Sequence, residues 1–149
     1  MRNIKYILVN ATPVDPSSSV CVSNLGHHYV INSQGMLLHP IDDSQPGAFM
    51  PKPTCGEEDL NRCSIGIKYN GDLARDLELS TLNSLTNSKL YTLNSKLAGL
   101  LALLSELRKH FPNSKILDVS EINGRELHCK NIIVSDAMNV LRRELSDYP

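Results

Sequence analysis

Between residues 88 and 111, leucines recur at a spacing that leaves the chain little choice. Leu90, Leu93, Leu97, Leu100, Leu101, Leu104 and Leu107, with Phe111, keep the i, i+3, i+4, i+7 pattern of one helix face. Asn87 or Ser88 can cap the start. Arg108, Lys109 and His110 suit the negative end of the helix dipole, and Pro112 stops the run. A helix this long with one apolar face needs a surface to cover it, so the stripe is read as core and not as a partner-binding groove.

The covering surface is predicted as sheet. Ile4 to Val9 is a compact apolar run ended by Asn10, Thr12, Pro13, Asp15 and Pro16, which suits a buried strand over 4–9. From Leu25 to His39, two apolar runs flank Asn32-Ser33-Gln34-Gly35, a turn whose Gly can take a positive φ. This predicts a hairpin with strands over 27–32 and 36–39, and the rest of the chain reads as backing or facing it. Ile65, Ile67 and Tyr69 alternate along a strand over 64–69, and Gly66 lets something approach its other face closely. Residues 115–119 form a last strand. An apolar trio, Ile132-Ile133-Val134, leads into a final helix capped by Ser135 and buried through Ala137, Leu141 and Leu145.

The intervening stretches read as loops: 13–24, rich in Pro and Ser; 40–62, with Pro40, Pro46, Gly47, Pro51, Pro53 and Gly56; 72–87, with a turn of helix; and 120–130. The expected fold is α/β, a single-domain mixed β-sheet flanked by helices, spanning 1–149.

Composition excludes several partners. A net charge of −1, without blocks of like charge, gives no footprint for nucleic acid or an anionic membrane. The absence of Trp, with only two Phe, disfavours an extended aromatic platform for sugar rings. The N-terminus lacks the apolar h-region of a signal peptide, and the expected location is cytoplasmic. Cys21, Cys55, Cys63 and Cys129 form no C-x-x-C pair and read as reduced thiols, with a Cys55–Cys63 disulfide as the alternative for an exported chain.

Four strings in order carry a resemblance: Gly26-His27-His28-Tyr29-Val30-Ile31; Gln34-Gly35; Pro46-Gly47-Ala48; and Asn61-Arg62-Cys63-Ser64-Ile65-Gly66-Ile67. Together they resemble the zinc-dependent N-acetylmuramoyl-L-alanine amidases, the family of bacteriophage lysozyme and the peptidoglycan-recognition proteins, and among them the single-domain amidases of bacteria and their phages. The resemblance spans nearly the whole chain. It implies a mixed sheet with a groove for the peptidoglycan stem peptide, where zinc activates water to cut the bond between N-acetylmuramic acid and L-alanine.

Aligned on that resemblance, the three zinc-ligand positions fall on Asn10, Val119 and Ile132. The family's first His, in a pattern like Ile-His-Cys-Ser-Ala-Thr, meets Val9-Asn10-Ala11-Thr12-Pro13. Its second, in Gly-His-Arg-Asp, meets Asp118-Val119-Ser120-Glu121. Its Cys, in Lys-x-Cys-Pro-x-Phe-Asp, meets the stretch opened by Lys130. Neither Val nor Ile has a lone pair to give, and an amide oxygen is a poor match for an N/S site. Without the metal, water keeps the very high pKa of the bulk liquid instead of about 7.

Among the other family positions, His27 stands where the family has Tyr, His28 and Lys130 match a His and a Lys, and Phe49 replaces a groove His. A helix that relatives carry between Pro13 and Leu25 is missing. The resemblance thus implies a degenerate, non-catalytic amidase without zinc, His27 and Lys130 standing at the family's catalytic positions. Its groove would present Asn10, Thr12, His27, His28, Asn61 and Lys130 to a stem peptide or muropeptide. Two alternatives stay open. One is an active amidase with a relocated metal drawn from His27, His28, His39, His128 and Cys129. The other is a protein-binding module using Phe49 and Met50 of the 40–62 loop.

Overall fold

The computed structural model describes residues 2–12, 26–50, 58–71, 73, 76, 87–119, 141–143 and 145–146, with backbone alone for Thr12 and 87–94. His128, Cys129, Lys130, Ile132, Ser135, Ala137, the loops over 13–24 and 120–130, and three of the four cysteines lie outside them.

The strand that everything packs around is β4 (Ser64–Asn70), buried at all seven positions. It lies between β1 (Tyr6–Thr12) and β2 (Tyr29–Ile31), parallel to both. The strand β5 (Lys115–Asp118) runs parallel to the outer side of β1, and β3 (Leu37–Leu38) pairs antiparallel with β2. The order is β3-β2-β4-β1-β5, a mixed five-stranded sheet of an α/β protein. A parallel strand buried on both faces needs cover on both, and the chain supplies it.

On one face lies the leucine helix, α2 (Asn87–His110). Leu97, Leu100, Leu103, Leu104 and Leu107 are buried against Ile7, Val9, Ile31, Ile65, Ile67 and Tyr69. Leu141 and Leu145, in the C-terminal helical residues, join the same core. Tyr69 Oη donates to Asp76 Oδ2 at 2.7 Å, and Lys96 Nζ of α2 reaches the same carboxylate oxygen at 3.2 Å, tying helix to sheet. Among the described residues, no helix is long and apolar enough to cross a membrane.

The opposite face is covered by the segment read from sequence as a plain loop. Within it, α1 (Leu60–Cys63) forms one turn, capped by Asp59, whose side chain accepts from the Asn61 N–H. Met50, Leu60, Cys63, Leu8 and Val119 make a second apolar cluster, with Phe49 packed against it. Phe49 and Met50 are therefore not the exposed pair that a protein-docking loop requires. Met50 is only 6% exposed. Cys63 is a free thiol, and burial pushes its pKa up to about 11.

Two further expectations change. The hairpin is not the organising centre but the margin of the sheet, and Leu37 and Leu38 are about half exposed. Its turn forms as expected, with Gly35 at φ +86° and Asn32 Oδ1 accepting from the N–H groups of Gln34 and Met36. The first strand runs on to Thr12, not to Val9, because β4 offers ladder partners as far as Asn70. Pairing across the sheet overrides the turn-forming character of Asn10 and Thr12.

Candidate ligand-binding site

Parallel pairing puts aligned residues on one face. The register sets Val30 and Asn10 on either side of Lys68, and continuing the β1–β5 register one step beyond Val9 and Asp118 brings Val119 beside Asn10. Val30, Lys68, Asn10 and Val119 thus form one rung on the face away from α2. The next rung holds Asn70 and Thr12. These rungs lie at the carboxyl ends of β4, β1 and β5, the edge where ligands bind in open α/β sheets.

The rung below is floored by His28 and Gly66. The Gly66 N–H donates to His28 Nδ1 at 3.0 Å, and the His28 N–H donates to the Gly66 carbonyl at 2.9 Å. With Nδ1 accepting, the neutral ring carries its proton on Nε2, which donates to the Gln45 carbonyl at 2.7 Å. Burial lowers the His28 pKa, and the Arg2 guanidinium, whose Nη2 is 3.0 Å from Nε2, works in the same direction. His28 is fully buried with both ring nitrogens engaged, so it braces the site from beneath.

Phe49 closes that rung. Its ring lies where a side chain at position 66 would project: a Cβ there would come within 2.5 Å of Phe49 Cε1. The same ring stacks on His27 at 5.0 Å between centroids and meets His28 edge-on at 6.4 Å. His27, 2% exposed, turns Nε2 toward Asn10 Nδ2 at 3.2 Å. In this amide orientation Asn10 donates and His27 accepts.

Of the residues named from sequence, the fold brings Asn10, His27, His28 and Val119 into this region. Asn61 is taken up elsewhere. Its Oδ1 accepts from the N–H groups of Phe49 and Met50, and its Nδ2 donates to the Met50 carbonyl, pinning the covering loop. His39 stacks on Tyr29 at 4.0 Å, with Nε2 3.3 Å from Asp43 Oδ1. Lys130 and Ile132 fall outside the described residues, and for Thr12 the backbone alone places it on the upper rung.

Two of the positions that the sequence resemblance aligns with zinc ligands, Asn10 and Val119, carry no imidazole, thiolate or carboxylate. Asn10 offers an amide already bonded to His27, and Val119 is 5% exposed among Leu8, Met50, Leu60 and Cys63. No group of three or more His, Cys, Asp or Glu among the described residues is placed to hold a metal.

Three participants escaped the sequence reading. Arg2 donates to the carbonyls of Asp43, Asn61, Arg62 and Ser64, clamping the covering loop to the amino end of β4. Lys68 and Asn70 share the Gly66 side of β4. The signal for Lys68 was a single Lys inside Ser64-Ile65-Gly66-Ile67-Lys68-Tyr69, a strand whose apolar alternation leaves it on the face that Gly66 opens.

No protein-family model and no curated protein matches the chain. Solved structures do. The chain is similar to N-acetylmuramoyl-L-alanine amidase LysC from Clostridium intestinale URNW, with a TM-score of 0.57 and 15% identity over 95% of this chain and 87% of that one. It is similar also to AmpD, solved as a selenomethionine derivative, with a TM-score of 0.54 and 13% identity over 94% of this chain and 89% of that one. The chain has the fold of these amidase structures.

Proposed function

We propose that this chain is a degenerate homologue of the N-acetylmuramoyl-L-alanine amidases that binds peptidoglycan fragments without hydrolysing them. The fold supports the family. The observation that supports a loss of hydrolysis is the chemistry of the rung, which holds Asn10 and Val119, two residues that the resemblance aligns with metal ligands. One is a hydrogen-bonded amide, and the other is an isopropyl group packed into an apolar cluster. Such groups cannot hold a Lewis acid that lowers the pKa of a water.

At the carboxyl edge of the sheet, β1 carries Asn10 against His27, and the Phe49 ring stacks on His27. Rigid donors and acceptors in a partly apolar surround are suited to a peptide stem. The stretch from Pro13 to Leu25 is shorter than the helix the resemblance aligns with it, so binding should be micromolar at best, about −8 kcal/mol.

The test is a pair of measurements on the purified protein. Incubation with peptidoglycan should release no new amino termini, and soluble muropeptides should shift the backbone amides of Asn10 and His27 in NMR spectra. Turnover abolished by a chelator would overturn the non-catalytic reading. Absence of shifts at millimolar ligand would overturn the binding reading.

A further inference from the structure

Lys68 is the side chain on this sheet whose chemistry the fold leaves unused. It lies in the central strand, fully buried, and its Nζ has no hydrogen-bond partner among the described residues. Ion pairs among the described residues include Lys5 with Glu58, His39 with Asp43, Arg62 with Asp59, Lys96 with Asp76 and Lys109 with Glu106. None reaches Lys68. Two residues along, on the same face, Asn70 is 5% exposed, and its Oδ1 also lacks a partner among the described residues. Asn10 stands beside Lys68 in the adjacent strand.

Buried polar groups are normally satisfied, and a buried cation without an anion is among the costliest arrangements in a protein. Two such groups side by side, at the edge where this class of sheet receives ligands, describe a site completed from outside. Burial lowers the Lys68 pKa to about 8, which still leaves the amine largely protonated at neutral pH. The missing partner is therefore an anion.

The geometry points to a carboxylate-binding pocket in which Lys68 Nζ meets the ligand's carboxylate and the Asn70 side-chain carbonyl receives an N–H or O–H of the same ligand. Asn10 flanks the second carboxylate oxygen. A neutral amide carbonyl would accept one hydrogen bond from Nζ but leave its charge unbalanced. A carboxylate does both, with the desolvation of the amine already built into the fold. This deepens the proposed function by naming the chemical group recognised: fragments ending in a free carboxylate are preferred over the same fragments amidated. The carboxylate can be the lactyl group of a muramic acid freed from its peptide, or a carboxyl group of the stem peptide.

The experiment is an NMR titration of the full chain, reading the Lys68 Cε–Hε resonance and the backbone amides of Asn10 and Asn70. The probes are N-acetylmuramic acid, its lactyl methylamide, a free stem tripeptide and the same peptide amidated. A carboxylate probe is expected to move the Lys68 resonance and to bind at least tenfold more tightly than its amide. Whichever acid responds identifies the source. Lys68→Met, similar in length and uncharged, should bind that acid at least tenfold more weakly.

Equal binding of acid and amide, or acid binding that never moves the Lys68 resonance, would overturn the assignment. The wild-type measurement decides the matter even if the variant does not fold. Muropeptides that bind wild type and Lys68→Met equally would defeat this pocket while leaving the broader reading intact. Failure of every probe would defeat both.

Discussion

The protonation state of His28 is dictated by its neighbours. The Gly66 N–H needs a lone pair on Nδ1, and the Gln45 carbonyl needs the proton on Nε2, so a second proton would displace the Gly66 contact. It would also put a cation beside Arg2 in a buried site. The folded-state pKa is accordingly lowered below the ordinary 6.5, chiefly by desolvation. The sign follows: below the unfolded value the unfolded chain takes up a proton that the native chain refuses, so stability falls as pH drops through 6.5. Asp42 and Glu58 also have lowered pKa values, but the stability they add is lost around and below their ordinary values of 3.8 and 4.5. Between pH 7 and pH 5 the denaturation midpoint should therefore fall. His28→Asn, which keeps an acceptor for Gly66 but does not titrate in this range, should be less stable at pH 7 and nearly flat across it. An equal slope in both proteins would refute the assignment.

At the scale of elements, the leucine helix separates what the sequence could say from what only the sheet decides. Leu100, Leu101, Leu103 and Leu104 are consecutive enough that periodicity alone admits either flank of the stripe. The sheet selects one: Leu103 is 8% exposed, whereas Leu101 is only partly buried against the core. Leu104→Ala, at a fully buried position, should cost about 2–5 kcal/mol, and Leu101→Ala clearly less. Urea denaturation of the two variants tests this, and comparable losses would mean that the helix is rotated from the orientation described.

The same division holds for the covering segment. The alternation around Gly66 announced a close neighbour, but nothing local identified Phe49 as the ring that fills the space. Pro and Gly in 40–50 gave a loop, and only the long-range ties to Arg2 and Asn61 turn that loop into a lid. The resemblance singled out Asn10 and His27, which the fold brings into contact at the carboxyl edge of the sheet. Lys68 was not singled out, because a Lys in a strand is ordinary until its strand proves to be the central one.

For the molecule as a whole, the question is what holds the sheet together at its carboxyl edge. In a small domain organised by structural zinc, the metal contributes apparent binding energy of about 10–16 kcal/mol, and chelators unfold it. Here the sheet is sandwiched between two apolar clusters, one built on α2 and one on the Phe49–Met50 segment with α1, and Val119 belongs to the second. Each fully buried Leu or Ile in them contributes about 1.5–3 kcal/mol, so the two layers can replace a metal's contribution with a handful of side chains. Stability should therefore be independent of zinc. A thermal melt with excess chelator, and another with a stoichiometric addition of zinc, should each leave Tm within about 1 °C of the untreated protein, a change worth only a few tenths of a kcal/mol in a chain of this size. A chelator-induced drop of many degrees would mean that donors outside the described residues, such as His128 and Cys129, hold a metal after all. It would favour the alternative of an enzyme with a relocated metal site over the non-catalytic reading.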